Sequence, residues 1–243
     1  MDIPKFVTSQ PALLLGNTLI ISDLHLGIEY GFYKSGINIP SQTEKLFDKL
    51  AKLIKKTKAR KLIILGDIKH KVPGTSWQEE REIPIFFSRL LKMAEVEIVM
   101  GNHDPGIEDM VPDGVKIHPT EGFLFEKFYL THGHAWPSQD LKKADYIITG
   151  HNQPLIEIKD KLGHSWVEKA WISTKLSRKK LTRYKGIKTP PELIIMPAFN
   201  DLAGGIRFNQ KKEFMGPITK AAIIKSAKVY LLDGTFLGEL KNL

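Results

Sequence analysis

Asp23, His25, Asp67, Asn102, His132 and His151 share one setting: each lies just beyond a short apolar run. Leu19-Ile20-Ile21-Ser22 leads to Asp23 and His25, and Leu62-Ile63-Ile64-Leu65-Gly66 leads to Asp67. Glu97-Ile98-Val99-Met100-Gly101 leads to Asn102, His103 and Asp104, Phe128-Tyr129-Leu130-Thr131 to His132, and Tyr146-Ile147-Ile148-Thr149-Gly150 to His151. Carboxylate, amide and imidazole together form a hard-oxygen and nitrogen donor set, suited to manganese, iron or zinc. Two ions about 3.5–4 Å apart need a shared carboxylate, and such a pair turns water into a nucleophile for phosphorus near neutral pH. Asp67 is the natural bridge. One ion then takes Asp23 and His25, the other Asn102, His132 and His151. His103 is one imidazole more than the cluster needs and suits the general acid, with Asp104 as its candidate carboxylate partner.

Taken singly, these motifs are weak. An Asp-x-His is an ordinary surface coincidence, and Gly-Asp or Gly-Asn after a strand is an ordinary turn. Their common placement is the signal. Short continuous apolar runs read as buried strands, and ligands of open α/β sheets collect beyond the carboxyl ends of strands.

The elements that must hold these residues follow from the pattern. Residues 1–17 read as an edge hairpin or a lead-in strand, 18–22 as the first buried strand, and Gly27, Gly31 and Gly36 as a loop. Ser41 and Glu44 have capping-box spacing, as do Ser76 and Glu79. Leu46, Phe47, Leu50, Leu53 and Ile54 form one helical stripe, and Ile83, Phe86, Phe87, Leu90 and Leu91 another, with Pro84 kinking or restarting the second. Strands are expected at 61–65 and 96–100. Beyond 107 the chain turns strand-rich: short antiparallel strands at 115–117, 122–125 and 127–131, a short helix at 138–144, and a strand at 145–149. A hairpin over 154–158 and 163–172 follows, then strands at 192–196, 221–224 and 228–232. A βα-rich first half and a β-rich second half predict an α/β fold of two sheets packed face to face with helices outside. One domain over 1–243 is expected, its β-rich part starting at about 154.

The blocks Asp23-Leu24-His25, Gly66-Asp67, Gly101-Asn102-His103-Asp104, His132-Gly133-His134 and Gly150-His151 resemble the calcineurin-like metallophosphoesterases in order and approximate spacing. That resemblance implies a four-layer αββα sandwich of two mixed sheets, a dinuclear metal site, and hydrolysis of phosphomonoesters or phosphodiesters. Gly66-Asp67-Ile68-Lys69-His70, Met196-Pro197-Ala198-Phe199-Asn200 and Tyr230-Leu231-Leu232-Asp233-Gly234 are similar to the archaeal SbcD-related branch, itself similar to the bacterial phosphoesterase associated with DNA ligase. The family's last block usually ends Gly-His-x-His. Here Gln153 stands at the final position, a neutral donor weaker than imidazole toward a transition metal.

The remaining candidates are less determined. His70 reads as a polar loop residue near the site or a ligand, and His134 as a phosphate contact, a supporting group or a turn residue. Two divalent ions are expected, manganese first, with iron, zinc or nickel as alternatives. The chain has 243 residues, a formal net charge of +9 and no cysteine. Thiolate metal sites, iron–sulfur clusters, disulfides and cysteine nucleophiles are therefore excluded. A basic protein seeks polyanions. Arg178, Lys179, Lys180 and Arg183 are candidate phosphate contacts, with Trp166, Trp171 and Tyr184 as candidate stacking partners. The alternative is a solvated loop over core tryptophans. The expected partner is a phosphoester substrate, DNA and RNA among the candidates, with no membrane. No apolar run approaches the roughly 20 residues of a span, and the start lacks the regions of a signal peptide, so a cytoplasmic location is expected. A nucleic-acid-binding scaffold with an impaired site and a small-nucleotide phosphatase are the rival readings.

Overall fold

The computed structural model describes residues 4–211 and 213–243. Its first sheet runs in the order β1 (Lys5–Phe6), β2 (Leu13–Leu15), β3 (Thr18–Ile21), β4 (Lys61–Leu65), β5 (Glu95–Val99) and β6 (Lys116–His118). β1, β2 and β3 are antiparallel, and β3 to β6 are parallel. The second sheet contains β7 (Phe123–Phe125), β8 (Phe128–Thr131), β9 (Tyr146–Thr149), β10 (Pro154–Lys159), β11 (Ser165–Lys175), β12 (Glu192–Ile195) and β13 (Ile206–Arg207). Its spatial order is β13-β10-β11-β12-β9-β8-β7, and β14 (Lys228–Leu231) and β15 (Phe236–Glu239) branch from β11. Within it, β8, β9 and β12 are mutually parallel.

Three apolar cores stack the layers. Leu13, Ile20, Ile63, Leu65 and Val99 of the first sheet meet Phe128, Leu130, Ile148, Trp171 and Ile194 of the second. On the outer face of the first sheet lie α2 (Thr43–Thr57) and α3 (Trp77–Leu90), whereas α1 (Ile28–Lys34) lies beside the loops that follow β3 and β4. The predicted stripes of α2 and α3 are buried there against Leu19, Ile21, Leu62, Ile64 and Ile98, except Leu91, which caps α3 and is half-buried. The outer face of the second sheet is covered by Leu141, Leu181, Tyr184 and Ile187 from short turns, and by Ile218 and Ala221 of α4 (Pro217–Ala221). No helix among the described residues is long and apolar enough to cross a membrane.

Several local expectations are corrected. Gly27 and Gly36 bracket α1 instead of forming a loop; both sit in the left-handed region, φ 84° and 82°, as residues flanking a helix often do. Ser41 forms no capping box, because α2 starts at Thr43 and the Ser41 hydroxyl donates to Glu82. The Ser76–Glu79 box does form, and α3 runs unbroken through Pro84. The strand near 115–117 joins the first sheet, parallel to β5, because a turn at 112–114 carries the chain back to that edge. Residues 217–221 are helical, started by Pro217 with its preset φ, so no strand forms at 221–224.

Candidate metal centre

The carboxyl ends of β3, β4, β5, β8 and β9 open toward one basin. Their turns are tight enough to hold side-chain residues in backbone conformations that usually call for glycine. Asp23 has φ 58°, His25 43°, Asp67 52°, His151 65° and Gln153 45°. Such strain persists only where the surroundings over-determine it, and it marks functional sites.

Two ligand-type groups result, and they share Asp67. One ligating atom each from Asp23, His25 and Asp67 lies within 4.8 Å of the others, and the same holds for Asp67, His132 and His151. His25 Nε2 is 3.6 Å from Asp67 Oδ2, and His132 Nε2 is 3.3 Å from Asp67 Oδ1. Asn102 Oδ1 and His151 Nδ1 each lie 3.2 Å from His132 Nε2. His132 Nδ1 is 2.7 Å from the Leu65 carbonyl, which fixes the proton there and turns the Nε2 lone pair inward.

The electrostatics match a site built for cations. Asp23 and Asp67 are buried, and among the described residues no lysine or arginine pairs with either. Buried carboxylates without fixed cations need a compensating charge. Burial opposes the charged form of His132, yet the Asp67 carboxylate overrides it and raises the imidazole to about 9. Burial works against Asp67 as well, but His132 wins there too and lowers it. The chain without metal thus keeps a proton where a cation would sit. Burial raises Asp23 to about 6 and lowers His25 and His151 to about 3, leaving these two imidazoles neutral and able to ligate. The donor set fits two divalent ions.

His103 stands beside this set. Its backbone N–H donates to Asp67 Oδ1 at 3.0 Å, and its Nδ1 lies 2.5 Å from the His70 carbonyl, leaving Nε2 free. Asp104 does not meet that ring. Its buried carboxylate accepts from Gly101 N at 2.7 Å, Ile68 N at 2.8 Å and Lys69 N at 3.3 Å, tying the β4 turn to the β5 turn. Gln153 reaches the centre: its amide Nε2 is 3.0 Å from Asp23 Oδ1 and 2.8 Å from His25 Nε2. His70 Nδ1 lies 3.4 Å from His25 Nδ1. The His134 ring is 5.3 Å from that of His132, its Nδ1 is buried without a partner among the described residues, and burial lowers it to about 4.

Of the basic tract, Lys180 lines a cavity with His134, Trp136 and Lys220, next to the centre. Arg178, Lys179 and Arg183 are exposed and line none of the cavities at the centre. Trp171 and Tyr184 are core residues and cannot stack on a base; Trp166 is exposed on β11. Sequence reasoning overlooked Trp136, held edge-on against Tyr184 with ring centroids 6.1 Å apart. It also overlooked the groups that brace the turns. Ser22 Oγ lies 2.5 Å from Asp23 Oδ2, and Asn200 Nδ2 donates to Leu24 O. Asn152 holds Met215 through both its N–H and its carbonyl. The Glu79 carboxylate accepts from the His70 and Lys71 amides. Only the Met196–Asn200 block carried a hint of this. On the far side of His103, Tyr30, Lys34 and Lys71 line a second cavity.

A family model described as calcineurin-like phosphoesterase matches residues 16–188. Among solved structures, the chain is similar to nuclease MPE from Pseudomonas putida, at 17% identity over 98% of this chain and 100% of that one, with a TM-score of 0.58. It also aligns with Yfce, a phosphoesterase from E. coli, at 15% identity over 91% of this chain and 96% of that one, with a TM-score of 0.44. No curated protein sequence matches.

Proposed function

This chain belongs to the calcineurin-like phosphoesterase family, hydrolases of phosphoester bonds that hold dinuclear divalent metal sites, and from that premise we propose that it cleaves phosphodiesters of nucleic acid or nucleotides. The observation that carries the proposal is the pair of carboxylate–imidazole groups joined through Asp67. In this reading Asp23, His25 and Gln153 hold one ion with Asp67, and Asn102, His132 and His151 hold the other. Gln153 contributes its amide oxygen, which a half-turn of the terminal amide exchanges for the nitrogen. Manganese is the first choice of metal, since four of the seven donors are oxygens. When bound, two such ions supply Lewis acidity toward the phosphoryl oxygens and a nucleophile from water.

The chain's own groups do the rest. His103, anchored at Nδ1 by the His70 carbonyl, presents Nε2–H to the departing oxygen as general acid. Its backbone N–H on Asp67 Oδ1 fixes that ring relative to the shared carboxylate. Asp104 keeps the Asp67 and Asn102 turns in register. A nucleotide chain is favoured over a small monoester by what flanks the centre: Lys34 and Lys71 beside His103, and Lys180, Lys220 and Trp136 beside His134. Lysines meet phosphates and an aromatic face meets bases. Within the family, the blocks at 66–70 and 196–200 favour the SbcD-related branch.

The test uses manganese-loaded protein and bis(p-nitrophenyl) phosphate. His103→Ala keeps its metal and loses about 10²–10⁴ in turnover, the usual worth of a general acid; Asp67→Ala loses both. Full turnover in Asp67→Ala would end the reading, and salt-sensitive oligonucleotide binding without hydrolysis would point to a binding protein instead.

A further inference from the structure

A third group of ligand-type side chains contains no oxygen donor: one ring nitrogen each from His25, His70 and His103 lies within 4.8 Å of the others. We propose that these three imidazoles form a third, nitrogen-only cation position, filled by zinc and not by manganese, whose occupancy inhibits the enzyme by capturing His103.

The His25–His70 pair already has the spacing that a zinc ion requires, and the three ligating nitrogens lie within 4.8 Å of one another. Zn–N bonds of roughly 2.0–2.1 Å at the tetrahedral angle put two ligating nitrogens roughly 3.3 Å apart. His25 Nδ1 and His70 Nδ1 are already 3.4 Å apart. The rings of His25 and His103 meet edge to face with centroids 5.0 Å apart, and those of His70 and His103 lie 5.8 Å apart. The His103 Nδ1 contact with the His70 carbonyl is what ligating imidazoles ordinarily make through the nitrogen that does not bind metal. It leaves Nε2 as the donor. His25 offers its other nitrogen, because Nε2 faces Asp67 and Gln153; a ring ligated at both nitrogens gives its Nδ1 proton to solvent.

Selectivity follows from the donors. Three imidazoles suit zinc, nickel or copper, whereas manganese prefers carboxylate, carbonyl and water. His70 and His103 both line the cavity shared with Tyr30 and Lys71, which gives the ion a path from solvent. The inhibitory consequence rests on His103 as the acid of the proposed hydrolysis; the ion count does not.

Bound zinc is counted by native mass spectrometry as it is added to the manganese-loaded protein, with turnover followed in parallel. His70→Ala and His70→Gln are expected to hold one zinc fewer than the wild type and to need at least tenfold more zinc for half-inhibition of their own rate. Equal zinc counts in the wild type and both variants would overturn the proposal. If no phosphoester is turned over at all, the functional reading fails and the zinc count still decides the third position.

Discussion

Gly101→Ala puts the geometry of the centre under direct strain. A Cβ built on Gly101 falls 2.3 Å from the Asp67 backbone nitrogen, 2.3 Å from Asp67 Oδ1 and 3.0 Å from Asp104 Oδ2, where ordinary contact starts at 3.4 Å. Two of those neighbours cannot swing away, since one is backbone and the other is the carboxylate proposed to join both ions. Gly66 packs against the same point, as a Cβ there would lie 2.8 Å from Gly101 Cα. The β4 and β5 turns must therefore part by about 1 Å. Overpacking of this kind costs about 1–3 kcal/mol, and at about 2–4 °C per kcal/mol for a chain of this size the melting temperature falls by about 2–12 °C. Turnover suffers more, because about 1 Å of misplacement at a reacting centre costs about 10²-fold. Scanning calorimetry reads the melting temperature, initial rates on the chromogenic diester read the turnover, and calorimetric titration with manganese reads the state of the metal centre. Gly204→Ala is the control, as its Cβ meets nothing within 4 Å although the residue lines the same mouth. If Gly101→Ala binds manganese as the wild type does and keeps its rate to within about threefold, the close approach of the two turns is irrelevant to the centre.

Asp104→Asn places an amide N–H against backbone donors, so manganese affinity and turnover should fall together; loss of turnover alone, with metal binding intact, would return Asp104 to a role at His103. Gln153→His replaces an amide by an imidazole that tolerates the left-handed backbone at φ 45°, and should tighten manganese at the Asp23 side by about tenfold in a titration; an unchanged affinity would make glutamine an adequate ligand. Away from the centre, burial lowers His118 from 6.5, and Lys61 overrides burial to lower Glu97 from 4.5. A depressed histidine costs stability as pH falls below 6.5, where the unfolded chain binds the proton first, and a depressed carboxylate loses its contribution as pH falls from 4.5 through its folded value. Melting of metal-free protein should therefore decline with acid in both windows, and Glu97→Gln should flatten the lower one and steepen the upper, because the same carboxylate supports a charged His118; an unaltered lower limb would exclude the Lys61–Glu97 pair as a contributor.

The parallel strands and the helices α2 and α3 are legible because each buries a continuous or periodic apolar set, from Leu62 to Leu65 and from Leu46 to Ile54. The metal-ligand residue types were legible for the same reason: they follow the runs. What the sequence withheld depends on tertiary neighbours. Asn152, Asn200 and Glu79 act by satisfying backbone groups of other turns, and no local pattern announces which amide a side chain will reach. Trp171 and Trp136 each follow an alanine, yet the first lies between the sheets and the second on a cavity wall, because β11 directs Trp171 inward. The pairing of β6 was equally hidden, since a three-residue strand carries no mark of its partner. Gln153 was visible only as a departure from a pattern, and its contacts with Asp23 and His25 give that departure a place.

Anomalous scattering from a manganese-soaked crystal is the most direct measurement. Two peaks about 3.5–4 Å apart, one on each side of the Asp67 carboxylate, with His132 and His151 at one and Asp23 and His25 at the other, are the expected result. A single peak, or peaks that leave Asp67 untouched, would contradict a dinuclear centre built on the ends of these five strands.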